Sequence, residues 1–411
     1  MDHEQALEAM QLFVLLISAA ALVALVVRRV AVPYTVALVV LGLLAATLVP
    51  RREFAVTPDL VLFVLLPGLV FEASIRLEFG QLRRTFGGIA LLAVPGVLVT
   101  VAIVALILNV ATGLPVELGF VVGSMVAATD PAAVIATFRQ LGSPRQLATL
   151  VEGESLFNDG TALVVFALAL QNVSSRPSLF DGLTAIVVIV VASGVIGGIA
   201  GFIASRIIAT VDDHLIELTV SLAAAYGTYM LADTLHESGV IATVVAGVVI
   251  GNYGRRIGMS HRTEEALDTV WEFVAFLLTA LVFLLVGLAI SLDQLVGALP
   301  AIFWGIVAVT VGRAVVAYGL LGAASRFTRL GGHGRPIPMA WLHVLFWAGL
   351  RGAVAVAMAL SLPLDFPQRH VLQEITFGVV LFTLFVQGST VELVIRLVGA
   401  VPRGKTTGAA A

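Results

Sequence analysis

Between Glu152 and Asp159 the sequence reads EGESLFND, in which three carboxylates, an asparagine and a serine interrupt an apolar run. On a helix, residues four apart share a face. Ser155 and Asp159 therefore make one edge, a hydroxyl beside a carboxylate, and such hard oxygens suit a small cation. Glu154 and Asn158 make a second edge, about 100° round. That pair suits a holding role, with Glu154 against an arginine and Asn158 against irregular backbone. Gly153 and Gly160 admit close neighbours, and Glu152 is left without a role.

Two other stretches place polar groups where a helix should be unbroken. AATDPAA (127–133) carries Asp130 and Pro131 in mid-segment, and AGLRGAV (348–354) sets Arg351 between glycines. Proline lacks an N–H and disfavours helical geometry at the residue before it. The carbonyls it frees near Thr129 become acceptors or cation ligands. Half-helix ends carry opposite partial charges, which Asp130 and Arg351 can each offset. A lone proline reads as a kink satisfied by threonine hydroxyls. With an aspartate beside it and an acidic cluster on the next segment, a binding site is the better reading.

The elements that position these groups follow from composition. Of 411 residues, 59% are hydrophobic and 12% charged, and the mean hydropathy is +1.06. A chain of this size with so little charge reads as an all-α polytopic membrane protein. Apolar segments number about thirteen. They lie near 10–27, 34–50, 58–73, 86–109, 117–138, 146–170, 182–208, 214–234, 239–251, 266–290, 297–324, 339–361 and 371–398. The acidic N-terminus MDHEQALEAM does not resemble a cleaved signal peptide. There is no cysteine, so thiol chemistry and disulfides are excluded. No soluble regulatory domain is expected after the last segment.

With the N-terminus outside, most of the 23 basic residues fall on the cytoplasmic side, among them Arg28, Arg83, Arg255, Arg335, Arg403 and Lys405. Only Arg51, Arg52, Arg176 and Arg369 fall outside. That bias supports an odd helix number and a cytoplasmic C-terminus. Six helices, a linker and six more give two halves of opposite orientation, as in many secondary transporters. The division is a first repeat over 1–170, a linker helix over 182–208 and an inverted repeat over 214–398. The interrupted segments, the fifth and the twelfth, then correspond and cross at the midplane. In the linker, SGVIGGIAG (193–201) spaces Gly194/Gly198 and Gly197/Gly201 for close helix packing.

Glu72, Asp130, Glu152, Glu154, Asp159, Arg313 and Arg351 all read as intramembrane. At ~3 kcal/mol each, leaving them unpaired would cost on the order of 20 kcal/mol. They must pair, face water or be neutral.

At these residues the chain resembles a known family. TDPAAVIAT (129–137), EGESLFNDGTALVVF (152–166), GLRGAVAVAMAL (349–360) and LPGLVFEASI (66–75) are similar to the signature segments of monovalent cation:proton antiporters, of the NhaP and animal sodium/proton exchanger type. The resemblance implies that Asp159 takes either a cation or a proton, and that Ser155, Thr129 and Glu72 help to build the cation site. It makes Asp130 the acidic residue at the helix crossing, beside Pro131, and Arg351 the arginine of the broken twelfth helix. It pairs Glu154 with Arg313 rather than with Arg351. Asn158 in place of a first aspartate resembles the electroneutral branch. The implied function is electroneutral Na⁺ (or Li⁺)/H⁺ exchange by elevator-type alternating access in the plasma membrane, with K⁺/H⁺ exchange as the alternative. The partners are monovalent cations, protons and the lipid bilayer, with homodimer formation and no nucleic acid; no cofactor is implied.

Two rival classes are weaker. Asp130 and Asp159 could form an intramembrane aspartyl-protease dyad, but that leaves the arginines unexplained and lacks a Gly-x-Gly-Asp flank. A cation channel requires a carbonyl-rich filter loop that the sequence does not contain.

Overall fold

In the computed structural model, which describes residues 3–27, 29, 33–48, 58–175, 179–290, 292–328 and 336–400, every regular element is a helix. Arg28, Arg51, Arg52, Arg176, Arg335, Arg403 and Lys405 of the charge-bias argument lie outside the described residues.

In chain order the main helices are α1 (His3–Val27), α2 (Tyr34–Leu48), α3 (Leu60–Ile75), α4 (Phe79–Thr112) and α5 (Val116–Ala127, resuming as Ala132–Leu141). Then come α6 (Arg145–Ser175), α7 (Leu179–Ile208), α8 (His214–Thr234), α9 (Gly239–Ile257) and α10 (His261–Ala289). The last are α11 (Leu299–Arg326), α12 (Met339–Trp347, resuming as Ala353–Leu360) and α13 (Arg369–Leu397). Among the described residues nine helices are long and apolar enough to cross a membrane, namely α4 to α11 and α13, and the apolar helices at Val14–Val27, Tyr34–Thr47 and Leu60–Ile75 are shorter.

Helix starts are set by side chains that satisfy otherwise orphaned N–H groups. Asp213 accepts from Leu215 N (2.8 Å) before α8, and Ser238 from Ile241 N (3.3 Å) before α9. Several helices begin earlier than hydropathy indicates. The first turns of α4 carry Arg83 and Arg84 on an exposed face, and those of α10 run HRTEEALD, so neither start reads as apolar.

The helices sort into two bundles. One joins α4, α5, α6, α11, α12 and α13; the other joins α1, α2, α3, α8, α9 and α10, with α7 packed along α9. In the second bundle α2 and α10 cross at backbone contact: a Cβ on Gly42 would lie 2.9 Å from Gly287 Cα. The glycine stripe of α7 is only half used. Gly201 rests on the backbone of Ala246, and Gly197 on that of Ala242, whereas Gly194 and Gly198 have nothing within 4 Å. One face of a helix packs and the other does not, so the two glycine spacings are not equivalent.

Five stretches among the described residues are wound more loosely, as π-helix: Leu60–Leu65, Leu92–Gly96, Ile250–Gly254, Val315–Leu321 and Thr383–Gly388. Pro95 lies inside the second of them, where a wider turn accommodates the missing donor.

Candidate functional site

The two interrupted helices meet at their breaks. Asp130 N donates to Leu350 O at 2.9 Å, joining the unwound backbone of α5 to that of α12. On the α12 side, Arg351 N donates to Thr383 Oγ1 at 3.0 Å. Non-helical backbone at membrane depth is tolerated only where its polar groups find partners within the protein or a cavity, and α6 supplies most of those partners for α5. Thr129 N donates to Asn158 Oδ1 (3.2 Å), Asn158 Nδ2 donates to Thr129 Oγ1 (2.9 Å), and Ser155 Oγ donates to Thr129 O (2.5 Å). Both main-chain polar groups of Thr129, and its hydroxyl, are thus held by two side chains one turn apart.

The edges of α6 are less separate than their spacing suggests. Ser155 binds the break, so it shares the holding role with Asn158. The Thr129 carbonyl oxygen and hydroxyl each retain acceptor capacity, so holding the break does not remove them as cation ligands.

Asp130 occupies the start of the second half of α5. Its Oδ1 accepts from Ala132 N at 3.0 Å, an anion on an otherwise unpaired first-turn donor. Gly352, the residue before the second half of α12, presses against the same carboxylate, since a Cβ there would lie 2.6 Å from Asp130 Cβ and 2.9 Å from its Cγ. One carboxylate thereby faces the positive ends of both resumed helices. Pro131 immediately precedes the resumed turn of α5, where its fixed φ and missing N–H suit a helix start.

Glu154 is paired within the bundle, beside the α12 break. Both its oxygens accept from Arg313, Oε1 from Nη1 and Oε2 from Nη2 at 2.9 Å, while Arg313 Nε donates to Leu345 O at 2.9 Å. Leu345 belongs to the last turn of the first half of α12, so Arg313 also caps a carbonyl end. Bidentate geometry is the favourable one for a guanidinium and a carboxylate taken out of water. Arg351 is 1% exposed, with Nε and Nη1 lacking hydrogen-bond partners among the described residues. Its electrostatic neighbours are Arg313, Glu154 and Asp159.

Asp159 is the carboxylate left over. It is 8% exposed, and its Oδ1 is buried with no hydrogen-bond partner among the described residues. A cavity of 760 Å³ reaches it and is also lined by Thr129, Asp130, Ser155, Glu152 and Glu72. The cavity runs along the seam between the bundles, past Tyr34 and Phe276 on one side and Arg139 on the other. Tyr34 and Phe276 stack with ring centroids 5.4 Å apart. Glu72 lines the cavity but is held by Arg76 Nε at 2.7 Å, one turn along α3.

The structure thus brings Thr129, Asp130, Pro131, Ser155, Asn158 and Asp159 to one crossing and sets Glu154 and Arg313 behind it. Thr383, which caps the α12 break, was not singled out from sequence. Its only signal there is a hydroxyl in an apolar run. Chemically, the site offers a buried carboxylate oxygen without a hydrogen bond among the described residues, beside the spare oxygens of Thr129 and Ser155 and within reach of a cavity, which is what reversible binding of a small cation or a proton needs.

Comparison with known proteins adds an independent observation. Residues 15–397 match the family described as sodium/hydrogen exchanger, transmembrane. The chain is 38% identical over 375 residues to the Na(+)/H(+) antiporter ApNhaP of Aphanothece halophytica, covering 90% of this chain and 70% of that protein. It is 36% identical over 356 residues to the Na(+)/H(+) antiporter NhaP of Pseudomonas aeruginosa, covering 84% and 82%. Among solved structures, the sodium proton antiporter MjNhaP1 of Methanocaldococcus jannaschii has the same fold, with a TM-score of 0.78 at 20% identity, covering 96% of this chain and 99% of that one.

Proposed function

The chain belongs to the transmembrane sodium/hydrogen exchanger family, and from that premise we propose that it is a secondary active antiporter exchanging Na⁺ or Li⁺ for H⁺ at Asp159. The observation that carries the reading is the buried, unpartnered Asp159 Oδ1 at the inner end of the cavity. A carboxylate so placed is stabilised by whatever neutralises it, and a proton and a monovalent cation do so equally in charge. Competition between them for one site is sufficient for coupling.

Charge arithmetic makes the exchange electroneutral. One proton leaves Asp159 for each cation bound, and the other buried charges, Glu154, Arg313, Asp130 and Arg351, sum to zero and do not change their occupants. Thr129, Ser155 and Glu72 supply the remaining oxygens of the cation site. Asn158, Glu154, Arg313, Arg351 and Pro131 keep the broken helices in place. Loaded, the bundle of α4–α6 and α11–α13 slides past the other in elevator fashion; empty and charged, it meets a desolvation barrier.

The same proposal includes about thirteen spans in two inverted repeats, 1–170 and 214–398, joined by the linker helix 182–208. The N-terminus lies outside the plasma membrane and the C-terminus inside. In that orientation the cavity opens to the cytoplasm, because Arg139, Glu272 and Glu392 at its mouth fall at cytoplasmic helix ends. Assembly as a homodimer belongs to it as well, and the apolar outer faces of α1 and α7 accommodate either a second copy or lipid.

The test is transport in proteoliposomes under an imposed pH gradient, with Na⁺, Li⁺ and K⁺ in turn. Coupled cation and proton flux is expected for Na⁺ and Li⁺, and none with Asp159→Asn. Below the working range of Asp159 its proton competes, so the apparent KM for Na⁺ rises as pH falls, approaching about tenfold per pH unit, at constant maximal rate. Exchange retained in Asp159→Asn, or uncoupled cation flux, would defeat the proposal, and coupled flux with K⁺ alone would move it to K⁺/H⁺ exchange.

A further inference from the structure

Glu152 has no part in the site as described. On α6 it precedes Ser155 by three residues and Asp159 by seven, so all three lie near one face, and all three line the cavity. Seven residues of helix rise about 10 Å, which sets Glu152 toward the mouth. It makes no hydrogen bond or ion pair with a described residue. The charged groups facing it are Arg139 of α5 and Glu72 and Arg76 of α3.

The pairing of those groups is uneven. Arg76 is held by Glu72 at 2.7 Å and approached by Glu272 at 3.8 Å. Asp268, further along α10, is engaged by Arg255 Nη1 at 3.2 Å. Arg139 is exposed, and it is the basic residue among the described cavity lining. It has no carboxylate within ion-pairing distance among the described residues. A cation moving from the mouth to Asp159 therefore passes a guanidinium that no carboxylate among the described residues holds at contact distance.

We propose that Glu152 is a positioning residue for transport: its carboxylate offsets Arg139 and holds an incoming monovalent cation one stage short of Asp159. This rests on the exchange reading above. The role requires Glu152 to stay unpaired, because a carboxylate locked to Arg139 at contact distance would offer a passing ion nothing. A solvated helix-face glutamate would share its exposure but not its effect on ion capture.

The experiment uses the full chain in proteoliposomes and reads initial exchange rates against Na⁺ concentration. Glu152→Gln is expected to raise the apparent KM roughly three- to tenfold with maximal rate within about twofold of the parent. Glu152→Asp keeps the charge and is expected near the parent KM. Arg139→Gln alone is expected to lower KM, and the double variant Glu152→Gln/Arg139→Gln to return it to within about twofold of the parent; both shifts shrink as ionic strength is raised with an impermeant salt. An unchanged KM in Glu152→Gln, or a rise that Arg139→Gln does not offset, overturns the proposal. Should Glu152→Gln fail to fold, a KM that does not fall in Arg139→Gln overturns it. A parent chain that shows no coupled flux overturns the exchange reading instead, so the two failures are distinct.

Discussion

Glu154 and Arg313 meet where neither has water, at 2% and 7% exposure. Each is there only because the other is. Glu154→Gln leaves a buried guanidinium facing an amide, and removal of one partner from such a pair destabilises by about 3–5 kcal/mol. The expected result is a clear fall in thermal stability in detergent for Glu154→Gln and for Arg313→Gln singly. The double variant should recover part of the loss, read as a coupling energy from the four proteins. The pairing was legible in sequence to a limited depth: two buried charges of opposite sign must meet something, but Arg351 was also available. The structure separates the two arginines by what each main chain does, since Arg313 sits on an intact helix and Arg351 on unwound backbone. Ser155 was less legible. Its hydroxyl went to the Thr129 carbonyl because that carbonyl had lost its helical donor, and the path of a broken backbone cannot be read from spacing.

At the scale of elements, the interruptions of α5 and α12 are written in Asp130-Pro131 and in Gly349-Leu350-Arg351-Gly352. Their crossing was expected from the inverted-repeat reading, whereas the bond that joins them, Asp130 N to Leu350 O, is main chain and has no side-chain signature. The π-helical stretches were equally hidden. A wider turn changes no residue type, and only Pro95 hints at one. The crossing has a consequence for Gly352. Its backbone lies at φ −136°, open to any residue, so the requirement for glycine comes from the Asp130 side chain and not from conformation. Gly352→Ala is expected to displace Asp130 and to lower maximal exchange by at least about tenfold, with thermal stability near the parent's. Gly194→Ala, whose Cβ meets open space, should leave both unchanged. Equal effects from the two substitutions would remove the crossing from the account.

The whole molecule is two bundles with a cavity in the seam between them. In the proposed movement one bundle slides against the other, so a bond across the seam should arrest it. Gly388 of α13 and Val36 of α2 face each other there, since a Cβ on Gly388 would lie 3.8 Å from Val36 Cγ2. A disulfide between cysteines placed at both positions forms where their Cβ atoms come within about 4.5 Å of each other. The chain has no native cysteine, so the Val36→Cys/Gly388→Cys variant needs no further background change. Exchange is expected to stop on oxidation and return on reduction, and transport that continues in the oxidised protein would refute a sliding bundle. Sequence conveyed the helical and apolar character of the chain well, because bilayer thickness imposes long apolar runs on a spanning protein. It could not convey how they divide into bundles, since α6 and α9 touch across the seam just as helices within a bundle do.

Asn158 clamps the α5 break with an uncharged amide, and in the proposed mechanism this choice fixes how the protein responds to the membrane voltage. In the proposed mechanism Asp159 is neutralised by its cargo, and the charges of Glu154, Arg313, Asp130 and Arg351 sum to zero, so the loaded bundle carries no net charge from these five residues. In the proposed mechanism its transit then does no work against the transmembrane field in either direction. An aspartate in place of Asn158 would add one negative charge to the moving part, and each elementary charge crossing the full field is worth about 2.3 kcal/mol per 100 mV. Exchange by the parent chain is therefore expected to be indifferent to an imposed diffusion potential. The Asn158→Asp variant, where it still transports, should speed up or slow down with the sign of that potential. A parent chain driven by voltage would mean that one of the four buried charges is not static, and the amide at position 158 would no longer account for the balance.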